Sequence, residues 1–202
     1  MIDHLSKKLK YVLIGMLLGD ANLQNFSVEK QTYRLRVLHS KKQIEYLEHK
    51  FFLFKNFTRA NIGELKEYKN NKVYYKVYFN TVTDIKFKFF ADMFYKDGKK
   101  KLPKLIHRYL NPISIAYWYM DDGSIKWKKK SKAVRICTDN FEKKEVERLV
   151  SILNLKFNLS ARIFRNHSRF RIYIPNDEYK FSNLIIKHVH YSMKYKVPFY
   201  HL

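Results

Sequence analysis

The chain has 202 residues, which is enough for one domain with a substantial core or for two small ones, and its 46% hydrophobic content argues against disorder. Its 41 Lys and Arg residues against 18 Asp and Glu give a formal charge of +23. This charge predicts a polyanionic partner, with nucleic acid first and an anionic membrane surface second. The sequence has no apolar run of about 18 residues and no signal-peptide pattern, so we expect neither a spanning helix nor a signal peptide. The single cysteine, Cys137, excludes an internal disulfide and a cysteine zinc site and indicates a reducing interior compartment.

The first predicted element is a helix within residues 11–22, YVLIGMLLGDAN, where an apolar stretch ends in an acidic residue, a small residue and a polar turn. Residues 25–39 follow as a hairpin that turns near residues 29–31. On its second strand Arg34 and Arg36 alternate with apolar residues, which predicts one basic face and one buried face.

A second helix is predicted over residues 40–55, where Ser40 and Gln43 have the spacing of a capping box. Its apolar face consists of Ile44, Leu47, Phe51 and Phe54. Residues 62–68 and 72–79 then form a hairpin, because the second segment alternates Lys and Tyr with Val, Tyr and Phe. A third helix is predicted over residues 82–96.

The second part of the chain repeats this order. Residues 114–125, SIAYWYMDDGSI, have the same design as 11–22, and strands are expected near 124–129 and 132–138. A helix follows from a cap at Asp139 or Asn140, with its inward face made by Val146, Leu149, Val150 and Leu153. The last elements are a hairpin at 161–166 and 169–174, where Arg169, Arg171 and Tyr173 share a face, and a helix over 178–193.

The sequence therefore predicts an α+β fold made of two αββαββα repeats. We assign residues 1–98 to the first half, residues 99–110 to a short basic connector and residues 111–202 to the second half. The last helix of each half is followed by basic residues and a proline, at Lys100-Lys101-Leu102-Pro103 and at Lys196-Val197-Pro198.

Basic and aromatic strand faces suit the major groove of DNA, which admits a two-stranded ribbon. Any exposed strand carries polar side chains, but several such hairpins in a chain of charge +23 favour DNA contact. The expected DNA-binding residues are Arg34, Arg36, His39, Lys72, Tyr74, Lys76, Lys126, Lys128, Lys130, Arg135, Arg162, Arg165, Arg169 and Arg171. The histidines lack the spacing of a metal site and are interpreted as surface or phosphate-contacting residues.

Asp20 and Asp122 each follow an apolar helical stretch. A helix C-terminus carries partial negative charge, so an aspartate there is unfavourable by about 0.3–1 kcal/mol unless a cation is present. An oxygen-ligated ion such as Mg²⁺ would stabilise these carboxylates. Ordinary turn formation explains either aspartate alone, whereas their repetition at matching positions favours metal binding.

Two segments, LIGMLLGDA at 13–21 and IAYWYMDDG at 115–123, resemble the paired signature helices of the single-chain LAGLIDADG homing endonucleases. The resemblance implies a pseudo-twofold molecule in which these helices pack side by side and two four-stranded antiparallel sheets form a DNA-binding saddle. One departure concerns packing, because Gly15 and Gly19 of the first helix match Tyr117 and Asp121 of the second.

The same resemblance implies the site residues. The catalytic acids are Asp20 and Asp122, and the active-site lysines are Lys196 and either Lys100 or Lys101, with Lys100 the better fit. Metal contacts are expected at the two aspartates and at the residues that follow them, Ala21 and Gly123, whereas Asp121 is a neighbour of the metal site and not a ligand. The expected cofactor is Mg²⁺, replaceable by Mn²⁺, with Ca²⁺ supporting binding but not cleavage.

The implied function is a monomeric, site-specific endonuclease that makes a staggered double-strand break in a long, pseudo-asymmetric DNA site and promotes homing of an intron or mobile element. An intron maturase that binds RNA, a non-catalytic DNA-binding regulator and a membrane-surface protein are the alternatives. The regulator would usually lack one acidic helix end, and the membrane protein would have one basic amphipathic helix. The Lys, Asn, Ile, Tyr and Phe bias indicates an AT-rich genome, in an organelle (mitochondrion or chloroplast) or a bacterial cytoplasm.

Overall fold

The computed structural model describes residues 5–25, 29, 31–127 and 130–198. They pack as two compact units, one made of Met1–Lys10 and Asp20–Met93 and the other of Tyr11–Gly19 and Phe94–Leu202. In the described ranges no helix combines the length and the apolar character that a membrane crossing requires.

The first unit contains a four-stranded antiparallel sheet in the order β1-β2-β4-β3. The alternation of β2 decides which face is buried, because Leu35, Val37 and His39 lie in the core while Arg34 and Arg36 are half-buried on the opposite face. The strands are β1 (Asn22–Asn25), β2 (Tyr33–Ser40), β3 (Gly63–Lys69) and β4 (Lys72–Asn80).

The second unit repeats this topology in a sheet ordered β7-β8-β10-β9. A separate short hairpin of β5 (Tyr95–Lys96) and β6 (Lys99–Lys100) precedes it and turns through Asp97 and Gly98, both of which have positive φ. The strands of the main sheet are β7 (Gly123–Ile125), β8 (Val134–Ile136), β9 (Arg162–Asn166) and β10 (Arg169–Ile174).

Six α-helices alternate with these strands in the described residues, and they give each half the predicted αββαββα order. The predicted α+β class and the repeated topology are therefore confirmed. The helices are α1 (Lys7–Leu18), α2 (Ile44–Leu53), α3 (Lys88–Phe94), α4 (Pro112–Asp122), α5 (Lys143–Phe157) and α6 (Lys180–Ile185).

Two predicted helices are shorter in the structure. The predicted helix 82–96 contains a 3-10 turn, Ile85–Phe87, capped by the Asp84 side chain, then α3, and its last residues belong to the small β5–β6 hairpin. The predicted helix 178–193 contains only α6, because Glu178 and Tyr179 have left-handed backbone angles and Val189 is extended. Short 3-10 turns continue the chain to Lys196.

One predicted cap is wrong, and another begins a different type of helical turn. The α5 helix is capped at Glu142, whose N–H donates to the Glu145 carboxylate, and not at Asp139 or Asn140; the Asp139 carboxylate binds Arg171 instead. Ser40 is an N-cap as predicted, but its side chain accepts from the Lys42 N–H and begins a 3-10 turn, Lys41–Gln43, that leads into α2.

The predicted inner helix faces are correct only in part. Leu47 and Phe54 are buried on or directly after α2, whereas Ile44 and Phe51 are half-buried. On α5 the side chain of Val150 is half-buried, unlike the buried Val146, Leu149 and Leu153.

Candidate active site and nucleic-acid interface

The C-terminal part of α1 packs closely on α4. A Cβ at Gly15 would lie 2.8 Å from the Tyr117 Cβ and would also collide with the Ser114 carbonyl, and a Cβ at Gly19 would lie 2.6 Å from the Asp121 Cβ. Glycines on one helix therefore face full side chains on the other, as the mismatch between the two signature segments indicated. Both helices are buried from Val12 to Leu18 and from Ser114 to Met120, so the apolar segments are core elements that expose polar atoms only at their ends.

A lysine side chain contacts the end of each of these helices. Lys100 Nζ donates to the Gly19 carbonyl at 3.1 Å. Lys196 Nζ donates to the Met120 and Asp121 carbonyls at 2.6 and 3.1 Å. Cations at a helix C-terminus satisfy carbonyls that have no partner within the helix and oppose the negative end of its dipole.

The structure distinguishes between the two candidate lysines of the first half. Lys101 lies beside Glu142, and its hydrogen bond holds the pKa of that carboxyl below its usual value. Lys100, in contrast, reaches the end of α1. Lys100 is therefore the one of the two lysines that reaches the helix end, and its role in an active site stays a prediction.

The aspartates that end the signature segments are accessible in both units. Asp20 has 44% of its side chain exposed, and Asp122 is half-buried at the end of α4. The following residues, Ala21 and Gly123, are buried, and a Cβ at Gly123 would collide with the Tyr119 ring. Gly123 thus lets the chain turn directly from Asp122 into β7.

These carboxylates have the chemistry of ligands for a hard divalent cation, because both oxygens of an ionised aspartate accept and neither donates.

Asp122 also contributes negative potential to its own surroundings. The pKa of the Cys137 thiol is raised, mainly by burial and further by the charge of Asp122. The Cys137 N–H donates to the Asp122 carbonyl at 3.0 Å, which connects β8 to the end of α4.

The interpretation of His39 as a surface residue is wrong. The residue is 4% exposed, and its Nδ1 lies 3.7 Å from Asp20 Oδ2, so it has the acidic partner that its sequence context did not indicate. Its Nε2 lies 3.0 Å from Nζ of Lys50, which is fully buried on α2. Lys50 was not identified from the sequence as a candidate functional residue. Periodicity contained the signal, because His39 shares the parity of Leu35 and Val37 in β2.

In the first unit, the Arg and Lys residues predicted to bind DNA lie together on one face of the sheet, whereas His39 lies on the buried face. Neighbouring side chains orient several of them: Arg34 Nε donates to Gln24 Oε1 at 3.0 Å, and the Arg36 guanidinium lies 5.1 Å from the Tyr78 ring centroid. Lys76 pairs with Glu67. The register of the strands places on this face Arg34, Arg36, Lys72, Tyr74 and Lys76.

The corresponding face of the second unit is also basic and aromatic. Arg171 binds both carboxylate oxygens of Asp139, at 2.8 and 2.5 Å, and this hydrogen bonding lowers the pKa of Asp139. The Lys126 ammonium lies 4.3 Å from the Trp127 ring centroid and 5.1 Å from that of Tyr173. The strand register places on this face Arg135, Arg162, Arg169, Arg171 and Tyr173.

Four predicted DNA contacts differ from this pattern, and one of them is the buried His39. Arg165 pairs across the strands with Phe170, so it lies on the opposite face, and its Nε donates to the His167 carbonyl. Lys130 lies in the β7–β8 connection, where its N–H bonds to the Trp127 carbonyl. Lys128 lies outside the described residues.

The repeated topology and the two lysine-capped helix ends, each followed by or ending in an aspartate, define a two-motif LAGLIDADG protein. The model of the LAGLIDADG DNA endonuclease family matches residues 10–181, and the chain belongs to that family. The resemblance inferred from the two signature segments is therefore confirmed.

Individual relatives match along nearly the whole chain. The chain is 33% identical to DNA endonuclease I-ChuI of Chlamydomonas applanata, over 96% of this chain and 95% of the relative. It is 30% identical to the cytochrome b mRNA maturase bI2 of Debaryomyces hansenii, over 97% of this chain and 76% of the relative. Among solved structures, the homing endonuclease I-WcaI bound to its DNA recognition sequence superposes with a TM-score of 0.90 at 31% identity, covering 97% of this chain and 88% of that one.

Proposed function

We propose that this protein is a site-specific homing endonuclease that hydrolyses one phosphodiester in each strand of a long DNA site. The observation that carries the proposal is the matched pair of helix ends. Gly19 and Asp121 each present a backbone carbonyl to a lysine ammonium, and an aspartate is the next residue in each case. Two equivalent sites, one for each strand, would produce a staggered double-strand break.

Asp20 and Asp122 hold the divalent ions in this proposal, with backbone oxygens of Ala21 and Gly123 beside them. A bound Mg²⁺ ion would supply an activated water and neutralise charge on the phosphate. Lys100 and Lys196 place positive charge at the helix ends, where negative charge develops on the scissile phosphate during hydrolysis. Neither lysine needs to act as an acid or a base. Mn²⁺ should replace Mg²⁺, whereas Ca²⁺ should support binding without cleavage.

The two sheet faces bind the DNA target. Their arginines and lysines contact phosphates and base edges in the major groove. Neighbouring side chains restrict the conformations of three of these arginines before binding: Gln24 contacts Arg34, Tyr78 contacts Arg36, and Asp139 contacts Arg171. Because the side chains on the two faces differ, the target should be pseudo-asymmetric and the protein should act as a monomer. We place this activity in an organelle or a bacterial cytoplasm.

An RNA-binding maturase activity is the second candidate, because one relative at 30% identity is named an mRNA maturase. Such an activity could accompany DNA cleavage in the same chain. Competition between a DNA target and the host intron RNA for the purified protein would test it. RNA that fails to compete at any concentration would exclude a shared surface.

Selection of cleaved sequences from a randomised plasmid library with Mg²⁺ tests the main proposal. We expect recovery of one long, asymmetric sequence and conversion of supercoiled plasmids that carry it to linear form. A protein that binds a specific site in Ca²⁺ but cuts nothing in Mg²⁺ or Mn²⁺ would be a regulator. A protein with no sequence preference would contradict both the endonuclease and the regulator functions.

A further inference from the structure

A buried polar chain connects α2 to the first aspartate within a single unit. Lys50 is 0% exposed, and its Nζ lies 3.0 Å from His39 Nε2 and 4.2 Å from the Tyr46 ring centroid. His39 Nδ1 lies 3.7 Å from Asp20 Oδ2. The order along the chain of contacts is therefore lysine, histidine, aspartate.

The direction of hydrogen bonding follows from the donor groups. A lysine ammonium has three donors and no acceptor, so His39 Nε2 must accept from it. A neutral imidazole carries one proton, and this proton must then be on Nδ1. The Nδ1–H group faces the Asp20 carboxylate, which only accepts, but at 3.7 Å the two atoms are beyond hydrogen-bond distance and the contact is electrostatic. The His39 ring and Asp20 offer ligand atoms within 4.8 Å of each other. In this tautomer Nδ1 has no lone pair to offer a metal, so the tautomer assigns His39 to the support of Asp20.

Burial of this lysine requires an explanation beyond packing. Moving an ammonium out of water costs several kcal/mol, even after partial compensation by neighbouring groups. An apolar residue would fit the inner face of α2 without that penalty, as Leu47 does. The Tyr46 ring and His39 Nε2 offset part of the cost and hold the ammonium in one position.

The residue of the second unit that is equivalent to His39 makes a different contact. Arg36 and Arg135 pair with Asn22 and Ser124, which come two residues after Asp20 and Asp122. Three residues beyond these arginines lie His39 and Thr138, both buried. Thr138 Oγ1 donates to the Phe170 carbonyl at 2.6 Å, so it stabilises its own sheet.

We propose that Lys50 and His39 are positioning residues for Asp20: the lysine fixes the Nδ1–H tautomer of His39, and the Nδ1–H group, 3.7 Å from Asp20 Oδ2, attracts that oxygen and restricts the orientation of the carboxylate. The proposal rests on the proposed nuclease function for its effect on cleavage, but not for the tautomer. It predicts that the two strands of the target depend differently on this buried chain, because the equivalent Thr138 bonds to the backbone.

Nitrogen NMR of ¹⁵N-histidine-labelled, metal-free protein tests the tautomer without any cleavage. We expect His39 to have a protonated Nδ1 and a hydrogen-bonded, unprotonated Nε2. Lys50→Met should shift His39 toward the Nε2–H tautomer, because the donor to Nε2 is lost. A wild-type His39 protonated on Nε2 would overturn the proposal, whether or not the protein cuts DNA.

Strand-resolved cleavage tests the functional consequence. End-labelled target DNA identifies the strand that Asp20→Asn leaves intact, and cutting of that strand should fall by about tenfold to a hundredfold in His39→Ala and Lys50→Met. His39→Gln should recover part of the rate, because its amide can donate to Asp20. Thr138→Val is the matched control and should not slow this strand selectively.

Affinity for the target in EDTA should remain within about threefold of wild type for all four variants, since none of them changes the DNA-facing surface. Equal slowing of both strands by His39→Gln, at an unchanged melting temperature, would overturn the positioning role. If Lys50→Met does not fold, His39→Gln and the wild-type tautomer still decide the question. If wild-type protein cuts no DNA, the proposed function fails while the tautomer result stands independently.

Discussion

Lys100 donates a hydrogen bond from Nζ to the backbone carbonyl of Gly19 over 3.1 Å. Lys196 makes the equivalent bond to Asp121, and its own carbonyl accepts from the Tyr119 hydroxyl at 2.6 Å. Burial of Tyr119 raises the pKa of that hydroxyl, so it remains a donor at any pH at which the protein would act. Each lysine is therefore held close to a helix end before any DNA binds. A mobile surface lysine would lose more conformational entropy on binding phosphate.

Substitution of these lysines should reduce cleavage more than binding. Lys100→Met and Lys196→Met remove a fixed positive charge from the proposed position of the scissile phosphate, and we expect cleavage to fall by about a hundredfold or more. Lys101→Met is the matched control, because that side chain pairs with Glu142 at the surface, and cleavage should change little. Single-turnover cleavage of labelled target measures both effects. Similar losses in Lys100→Met and Lys101→Met would contradict the assignment.

Replacement of either aspartate by asparagine should separate binding from cutting. Asn keeps the turn but is a poor ligand for a hard cation, so Asp20→Asn and Asp122→Asn should bind DNA as well as or better than wild type and should lose double-strand cleavage. Asp121→Asn should have a milder effect. Conversion of supercoiled target plasmid to linear form, with binding titrations in Ca²⁺, provides the two measurements. Full cutting by Asp122→Asn would remove this residue from the mechanism.

DNA affinity should depend steeply on salt. A protein that neutralises many phosphates releases an equal number of condensed counterions, and log affinity falls by about 0.9 per phosphate for each unit of log salt. With a charge of +23 and two basic sheet faces, we expect a slope steeper than about five. Titration of labelled duplex over a salt series measures it. A slope near one would mean that the sheets do not contact DNA along their length.

The Asp139–Arg171 pair should make stability depend on acid. Hydrogen bonding from Arg171 lowers the pKa of Asp139 in the folded protein. The resulting stability is present above the unfolded carboxyl pKa of about 3.9 and is lost as the pH falls through the lower folded value. The difference in unfolding free energy between wild type and Asp139→Asn should therefore shrink on acidification below about pH 4. Urea titrations at several pH values measure it, and a difference that is constant with pH would contradict the pair.

The glycine face of α1 should tolerate no side chain. Gly15→Ala places a methyl group against Tyr117 Cβ and the Ser114 carbonyl, and we expect a loss of about 1–3 kcal/mol in unfolding free energy. Leu155→Ala on α5, where the side chain is 90% exposed, is the control and should change stability by less than about 0.5 kcal/mol. Denaturant unfolding gives both values. An unchanged unfolding free energy in Gly15→Ala would mean that α1 and α4 can move apart without a loss of stability.

Periodicity and repetition predicted most of the fold. The two-residue pattern identified the strands around Arg34 and Arg171, and the duplicated apolar segments identified both signature helices. The errors lie where tertiary contacts override local preference. Asp139 has the sequence of a helix cap, but Arg171 comes from a strand distant in sequence and takes its carboxylate. Asp97 and Gly98 reverse the chain in left-handed conformations and end a region that reads as helical.

The site was predicted less completely than the fold, for a different reason. Asp20 and Asp122 could be proposed as site residues because each breaks an electrostatic rule at the same point of a repeat, and this assignment stays a prediction. The Lys50–His39 contact breaks no local rule: lysine and histidine usually lie in solvent, and only the three-dimensional proximity of α2 and β2 brings them together. Distance along the chain also left the choice between Lys100 and Lys101 open, because adjacent residues have nearly identical sequence surroundings.

The chain changes units between Gly19 and Asp20: Tyr11–Gly19 belong to the same unit as Phe94–Leu202, whereas Asp20–Met93 belong to the other unit. The order of segments along the chain therefore differs from their grouping in the folded protein, which affects recombination between relatives. A hybrid joined near residue 98 inherits α1 from one parent but Ser114, Tyr117 and Asp121, which its glycines contact, from the other. Hybrids should survive when both parents share these contact residues, or when the coding segment for residues 11–19 is exchanged together with the downstream half.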